Sequence, residues 1–371
     1  MSSHAILSAS SSQRWTKCPA SALLQTKFED TPSEYAMEGT SAHELCEYKV
    51  SKYVLGKEEP DIRENLTYYN QEMEEMTEEY LFFVQDIVSK YKSPLVLVEQ
   101  RLDFSSYVPD GFGTGDLVVI ADDEIHIVDF KYGLGVLVDA TDNPQMKLYA
   151  LGAIEQFGNL YDIDNIKMTI FQPRRQNIST FETTVKDLYD WAEDILKPIA
   201  KLAYEGQGNF KAGSHCKFCK ANSTCRERAE YNLQLAKDDF TLPPLLEDTE
   251  IEQLLPKLDD LISWANEVKD YALKEAISGK KWQGYKLVEG RSNRKYKDEN
   301  EVADIVIKAG FKPYEEKLLG ITEMTKMLGK NKFDELLKEQ IIKPKGKPAL
   351  VEITDKRKEI NLISEDFKEK K

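Results

Sequence analysis

Gly113–Gly133 reads GTGDLVVIADDEIHIVDFKYG, and this stretch decides the fold. Two short apolar runs, Leu117–Ala121 and Ile125–Phe130, flank the acidic, turn-like Asp122-Asp123-Glu124. Their length and the turn chemistry between them predict an antiparallel hairpin. Asp116 enters the first strand and Asp129 lies late in the second, where a strand buried on both faces would carry an aliphatic residue. Strand side chains alternate, so Asp129 and Lys131 share a face and Phe130 points to the other. Two acids and a lysine on one sheet face suggest a divalent metal and a phosphate. A hairpin that leaves water at its end, with Asp129 and Lys131 as a surface pair, accounts for the same residues. The surrounding chain has to decide.

Upstream, Met73, Met76, Tyr80, Phe83, Val84, Ile87, Val88 and Tyr91 keep helical spacing, which predicts an amphipathic helix over 67–92. Pro94 ends it, and Leu95–Asp103 alternates as a strand with Leu95, Leu97 and Glu99 on one face. Ser41 and Glu44 fit a capping box, which puts His43 in the first turn of a helix and Glu47 one turn on, on the same face. Residues 8–24 read as a short helix, a break at Cys18-Pro19 and a second helical start. Downstream, Asp142-Asn143-Pro144 starts a helix that runs to about Phe157 and sets Gln145 and Tyr149 one turn apart. Strands are expected at 165–172 and 178–185, then a helix through Leu188–Leu202 kinked at Pro198. After Asp239 a Thr241-Leu-Pro-Pro linker leads to a long helix over 249–278, a basic strand-like segment YKLVEGRSNRKY, short helices within 299–340 and an extended lysine- and proline-rich tail. The division expected is 1–239 and 240–371. The class is α/β, a mixed central sheet flanked by helices, with a mainly helical C-terminal module.

Composition agrees with a water-soluble protein. The 371 residues are 41% hydrophobic and 31% charged, and no apolar run approaches a membrane span. The start, MSSHAILSASSSQRW, lacks the basic and apolar blocks of a secretory signal, so a cytoplasmic protein that does not use a membrane is expected. The net charge of −15 opposes nonspecific DNA binding, because phosphate attracts basic surface. That charge is unevenly spread. Glu58–Glu79 holds nine acids against one arginine, whereas Lys280–Tyr296 holds six bases against one acid.

Two constellations carry chemistry. His43, Glu99, Asp116, Asp129 and Lys131 combine carboxylates, an imidazole and a cation. Phosphodiester hydrolysis needs such a set: ligands for a metal that polarises phosphate and acidifies bound water, and a cation near the developing charge. Carboxylates with one imidazole suit Mg2+ or Mn2+. The second constellation is Cys18 with Cys216-x2-Cys219-x5-Cys225. Four thiolates can hold a structural zinc or an iron–sulfur cluster, and His215 could complete a local Cys3His zinc site instead. Cys46 lies outside the spacing and reads as a core residue.

The order of these motifs resembles a known family. His43 in GTSAHE, Gly115-Asp116, Asp129-Phe130-Lys131 and Gln145-x3-Tyr149 are similar to the motifs of RecB-type nucleases of the PD-(D/E)XK superfamily. The cysteines resemble those of its iron–sulfur branch, which includes the CRISPR-adaptation nucleases and AddB-type subunits. The opening SASSSQRWTKCPAS looks like the start of those proteins, and the resemblance covers about 8–228. GYKLVEGRSNRKY through GKPALVEITDKR is similar to the ending of a phage-encoded group of such nucleases.

The resemblance implies a restriction-endonuclease-like core and a metal-dependent deoxyribonuclease, an exonuclease of phage recombination or replication in a bacterial host cell. His43, Asp116, Asp129 and the Phe130 carbonyl would ligate Mg2+ or Mn2+, with Glu99 and Glu47 as further candidates. Lys131 would orient the attacking water, and Gln145 and Tyr149 would position substrate or Lys131. Cys18, Cys216, Cys219 and Cys225 would carry a 4Fe-4S cluster that staples the N-terminus to the far end of the core, with structural zinc as the alternative. DNA, single-stranded or at ends, is the implied partner, alongside phage recombination or replication proteins. A catalytically silent DNA-binding or assembly protein of the same fold is the rival reading, and an iron–sulfur redox sensor a more distant one. In the C-terminal module Lys280, Lys281, Lys286, Arg291, Arg294 and Lys295 form either a DNA or partner clamp or a solvated basic face.

Overall fold

The apolar runs do pair. Strand β1 (Leu95–Asp103) lies antiparallel to β2 (Phe112–Ala121), and β2 antiparallel to β3 (Glu124–Phe130). Strand β4 (Asn165–Gln172) then lies parallel to β3, and β5 (Asn177–Thr184) antiparallel to β4, in the order β1-β2-β3-β4-β5. The computed structural model that shows this describes residues 5–29, 33–121, 123–238, 248–288, 296–314 and 318–341. Parallel neighbours need a crossover. Here it carries the helix Pro144–Phe157 between β3 and β4. Over Leu117–Ala121 and Ile125–Val128 the strands β2 and β3 are buried on both faces, and apart from His126 both alternating sets there are aliphatic. Edge strand β5, NISTFETT, alternates buried or half-buried with exposed residues along most of its length.

Helices α1 (Ser12–Trp15) and α2 (Ser21–Gln25) open the chain, followed by α3 (Glu34–Tyr53), α4 (Gln71–Ser89) and the crossover helix α5 (Pro144–Phe157). Asn143 caps α5, its side-chain oxygen accepting from Gln145 N (3.0 Å) and Met146 N (3.4 Å). One face of the sheet (Val118, Ile120, Ile125, Ile127) packs with α5 residues Leu148, Leu151 and Ile154. The other face (Leu117, Val119, Val128, Phe130) packs with Leu45 of α3 and Tyr80, Val84 and Ile87 of α4. The α3 start departs from the capping-box reading. Ser33, whose side chain accepts from Ala36 N (3.2 Å), is the cap, so Ser41 is buried within the helix and His43 lies well inside it. Nor is a kink needed at Pro198. A π turn at Ala192–Leu196 separates α6 (Val185–Trp191) from α7 (Lys197–Tyr204), and Pro198 sits in the first turn of α7, where its missing N–H costs little.

The chain divides into two units, Met1–Lys274 and Glu275–Lys371, rather than at 239/240. The reason is an ion cluster. Arg228 of α8 (Arg226–Asp238) is 1% exposed and grips two acids of α9 (Asp248–Ile277): Asp260 Oδ1 at 3.2 Å, and Glu267. Nearly all of α9, through Lys274, therefore belongs to the unit that carries the sheet. The second unit holds α10 (Glu299–Lys308), α11 (Ile321–Leu328) and α12 (Lys330–Leu337), with Asp298 capping α10. Residues 285–288 form no strand, and the linker Thr241-Leu-Pro-Pro and the tail beyond residue 341 lie outside the described residues.

One buried histidine gives the fold a pH signature. His126 on β3 is 4% exposed, with Nε2 2.9 Å from Thr169 Oγ1. Burial, then Lys167 and Lys90, push its pKa down to about 3. The folded chain thus stays neutral at His126 while the unfolded chain takes up a proton below its ordinary value of 6.5. Stability is complete above that value and falls with pH towards about 3, by about 2 kcal/mol at about pH 5 from this group. Thermal melts at about pH 7 and pH 5 check this: the drop should be smaller in His126→Gln than in wild type.

Candidate active site and cysteine site

Three carboxylates share one row of the sheet. Val98 pairs with Leu117 and Leu117 with Val128, so one step on, Glu99, Asp116 and Asp129 stand abreast on β1, β2 and β3. The β1–β2 ladder is interrupted at Glu99, which adopts a left-handed φ of +48°, and resumes in the same register at Gln100–Gly115. A non-glycine residue held there costs about 1–3 kcal/mol, and such strain clusters at functional sites. From α3, His43 reaches the same place: its Nδ1 lies 3.3 Å from Asp116 Oδ1, and its ring meets Phe130 edge-on at 5.4 Å. Among the described residues, His43, Glu99 and Asp116 form the group whose potential ligand atoms all lie within 4.8 Å of one another.

Asp129 is the other half of the site. It is 2% exposed. Lys131 Nζ donates to its Oδ1 (3.3 Å) and stands 3.0 Å from Oδ2. Gln145 Nε2 donates to Oδ1 (2.9 Å) and to Tyr149 OH (3.2 Å), while Gln145 Oε1 accepts from Lys131 Nζ (3.4 Å). Gln145 therefore bridges the Lys131–Asp129 pair to Tyr149, as the one-turn spacing anticipates. Oδ2 of Asp129 is buried, and the Lys131 ammonium is its ionic partner. One lysine therefore serves both oxygens of a buried carboxylate. The Phe130 N–H donates to Asp116 Oδ2 (2.7 Å), and the Lys131 N–H to the Phe171 carbonyl (2.9 Å), fixing the strand end.

These groups set one another's charge. Burial, then Asp116, lift the Glu99 carboxyl to about 7. Burial opposes the His43 cation, but the Asp116 carboxylate outweighs it and raises His43 to about 8. Burial opposes Asp116 as well, yet His43 and Lys131 hold its pKa below the ordinary carboxylate range. Burial raises Asp129 against the pull of Lys131. Carboxylate and imidazole donors stand together here, and the mutual repulsion among Glu99, Asp116 and Asp129 is what a divalent cation would relieve. The residues fit such an ion. Glu47 is exposed beside Glu59, Lys57 and Glu44, and its charge adds to the rise of the Glu99 carboxyl.

Cys18, Cys216, Cys219 and Cys225 line one small cavity, together with Arg14, His215 and Arg228. None of the four is in a disulfide, and Cys46 is buried elsewhere in the core beneath the carboxylates. Gln25 Nε2 donates to Cys219 Sγ (3.1 Å), and Lys211 N to Cys18 Sγ (3.4 Å). His215 Nε2 donates to the Lys211 carbonyl (2.8 Å), and its buried Nδ1 has no partner. Burial pushes the Cys216 thiol up to about 11. Arg14 and Arg228 place positive charge where thiolates would gather, so the cavity fits an anionic thiolate centre. Sequence reasoning did not single out Arg14, Gln25 or Arg228. Gln25 lies 194 residues from its sulfur partner, a contact no local pattern announces.

A family model described as "Protein of unknown function (DUF2800)" matches residues 4–358. The chain belongs to that family. The match spans both units and nearly the whole chain. A solved structure described as "Crystal structure of SSO0001" is similar over 58% of this chain and 96% of that one, with 12% sequence identity and a TM-score of 0.25. No helix among the described residues is long and apolar enough to cross a membrane. In the second unit of this DUF2800 chain, Lys281 and Lys286 are exposed, while Lys280 pairs with Glu275 (3.6 Å) and lies over Trp282 (4.4 Å). Arg291, Arg294 and Lys295 lie outside the described residues.

Proposed function

We propose that this protein is a divalent-metal-dependent deoxyribonuclease of RecB type. The observation that carries the reading is the paired arrangement around the hairpin end. His43, Glu99 and Asp116 converge on one side, and Asp129 with Lys131 and Gln145 on the other. His43, Asp116 and Asp129 would hold Mg2+ or Mn2+, with Glu99 as a further ligand. The ion would polarise the scissile phosphate and lower the pKa of bound water. Lys131, held by Asp129 and Gln145, places a fixed positive charge at the strand end, where it orients the nucleophile and offsets charge on the phosphate. Tyr149, through Gln145, keeps that lysine in place. An exonuclease acting on DNA ends in phage recombination or replication, in the cytoplasm of a bacterial host, is the setting the sequence resemblance supports.

Four thiols in one cavity with two buried arginines support a 4Fe-4S centre. Structural zinc is the alternative for the same four thiols. The centre would tie Cys18 to the segment after α7. The nuclease reading is tested by incubating the protein with DNA labelled at its 5′ or 3′ end. Products should form with Mg2+ or Mn2+ and not with chelator. Intact DNA under every metal would refute the reading.

A further inference from the structure

The segment that leaves the site is built unlike an ordinary loop. Residues 133–138, GLGVLV, follow Lys131 and lead to Asn143, the cap of the helix that carries Gln145. A surface loop normally satisfies its backbone with water and stays mobile. Here buried side chains hold it. Gln172, 2% exposed, spends its whole amide on it: Nε2 donates to the carbonyls of Gly133 (2.8 Å) and Val136 (2.8 Å), and Oε1 accepts from Val138 N (3.3 Å). Asn177, 4% exposed, donates to the Val138 carbonyl (2.9 Å), and from the surface Arg175 donates to the Leu134 carbonyl (2.8 Å). The side chains this clamp presents are apolar: Leu134, Val136 and Leu137 are 49%, 37% and 49% exposed. Buried polar groups thus fix a loop whose aliphatic tip faces solvent.

We infer that this tip is the base-contacting element of the substrate site, engaging unstacked nucleobases of the strand whose phosphate lies at Asp129 and Lys131. The inference rests on the nuclease reading. Three observations choose the occupant. Leu134 is three residues from Lys131, so the tip lies within about 10 Å of chain, the length of about three nucleotides at 3.4 Å each. The tip carries no charge, so it suits base faces and not phosphates. Its backbone is fixed in advance, which lowers the ordering cost of binding. Aliphatic wedges that contact or part bases are a known device of DNA-binding proteins.

The test is binding of a fluorescent single-stranded oligonucleotide, with bases or with abasic sites, measured by anisotropy with Ca2+. Wild type should bind the base-bearing strand about tenfold more tightly than the abasic one. The double variant Leu134→Ser/Leu137→Ser should bind both alike, at the abasic level, with an unchanged thermal melt. Discrimination that persists in the variant, or is missing from wild type, overturns the inference. So does a variant that converts a dimer to a monomer in sedimentation while discriminating as before, which would make the tip a contact between copies. Discrimination in a wild-type protein that cleaves neither strand with Mn2+ would leave the tip's role standing and refute the nuclease reading alone.

Discussion

Replacing Lys131 with alanine is expected to lower DNA cleavage by about 10²–10³-fold while Mn2+ still binds. Replacing Asp116 with asparagine is expected to remove both. The difference follows from where each group stands. Asp116 faces His43 at 3.3 Å and shares the compact ligand group with it and Glu99. Losing its charge takes away the centre of that group. Lys131 is a neighbour of the carboxylates and has no lone pair to offer while charged. Its Nζ is held by Asp129 and Gln145, so its charge is fixed where phosphate charge would develop. Removing one such preorganised donor costs about 10²–10³ in turnover. Lys131→Ala also leaves Asp129 buried without its cation, so Lys131→Arg serves as the control that keeps the charge. Calorimetric Mn2+ titration beside single-turnover cleavage separates the effects. Equal cleavage by Lys131→Ala and wild type would contradict the role given to the lysine.

The second large effect concerns Cys18. If its thiol joins Cys216, Cys219 and Cys225 on one centre, it closes a loop of nearly two hundred residues. In the chain-entropy picture, a cross-link of that span is worth about 5 kcal/mol. Cys18→Ser should therefore lose bound iron and sulfide, or bound zinc, and melt far below wild type. Cys46→Ser should keep the bound metal, because Cys46 packs in the core away from that cavity. Metal analysis with a thermal melt on anaerobically purified protein checks both. A Cys18→Ser variant that melts like wild type would remove the staple from the account.

Much of this was legible because it depends on local pattern. The apolar runs around Asp123, the alternation in 95–103 and the Asn143-Pro144 start each specify an element through period or capping, and each formed. The site's sheet residues were legible because alternation alone sets Asp129 and Lys131 on one face. What was missed depends on distance or on burial. GTSAHE mimics a helix start, yet Ser41 is buried in mid-helix and the capping falls to Ser33. Nothing in the residues around Glu99 signals its left-handed backbone, which the surrounding sheet imposes. The composition changes at 239, but Arg228 binds α9 back to the first unit through Asp260 and Glu267. The clamp of Gln172 on residues 133–138 spans thirty-odd positions, and a glutamine ending a strand gives no hint of it.

The most direct measurement is cleavage of end-labelled DNA with Mn2+ by the anaerobically purified wild-type protein and by Asp129→Asn, prepared identically and with matching melts. The account predicts that wild type shortens the DNA and that the variant leaves it intact. Equal cleavage by both would place the activity outside this site, and cleavage by neither would contradict the nuclease itself.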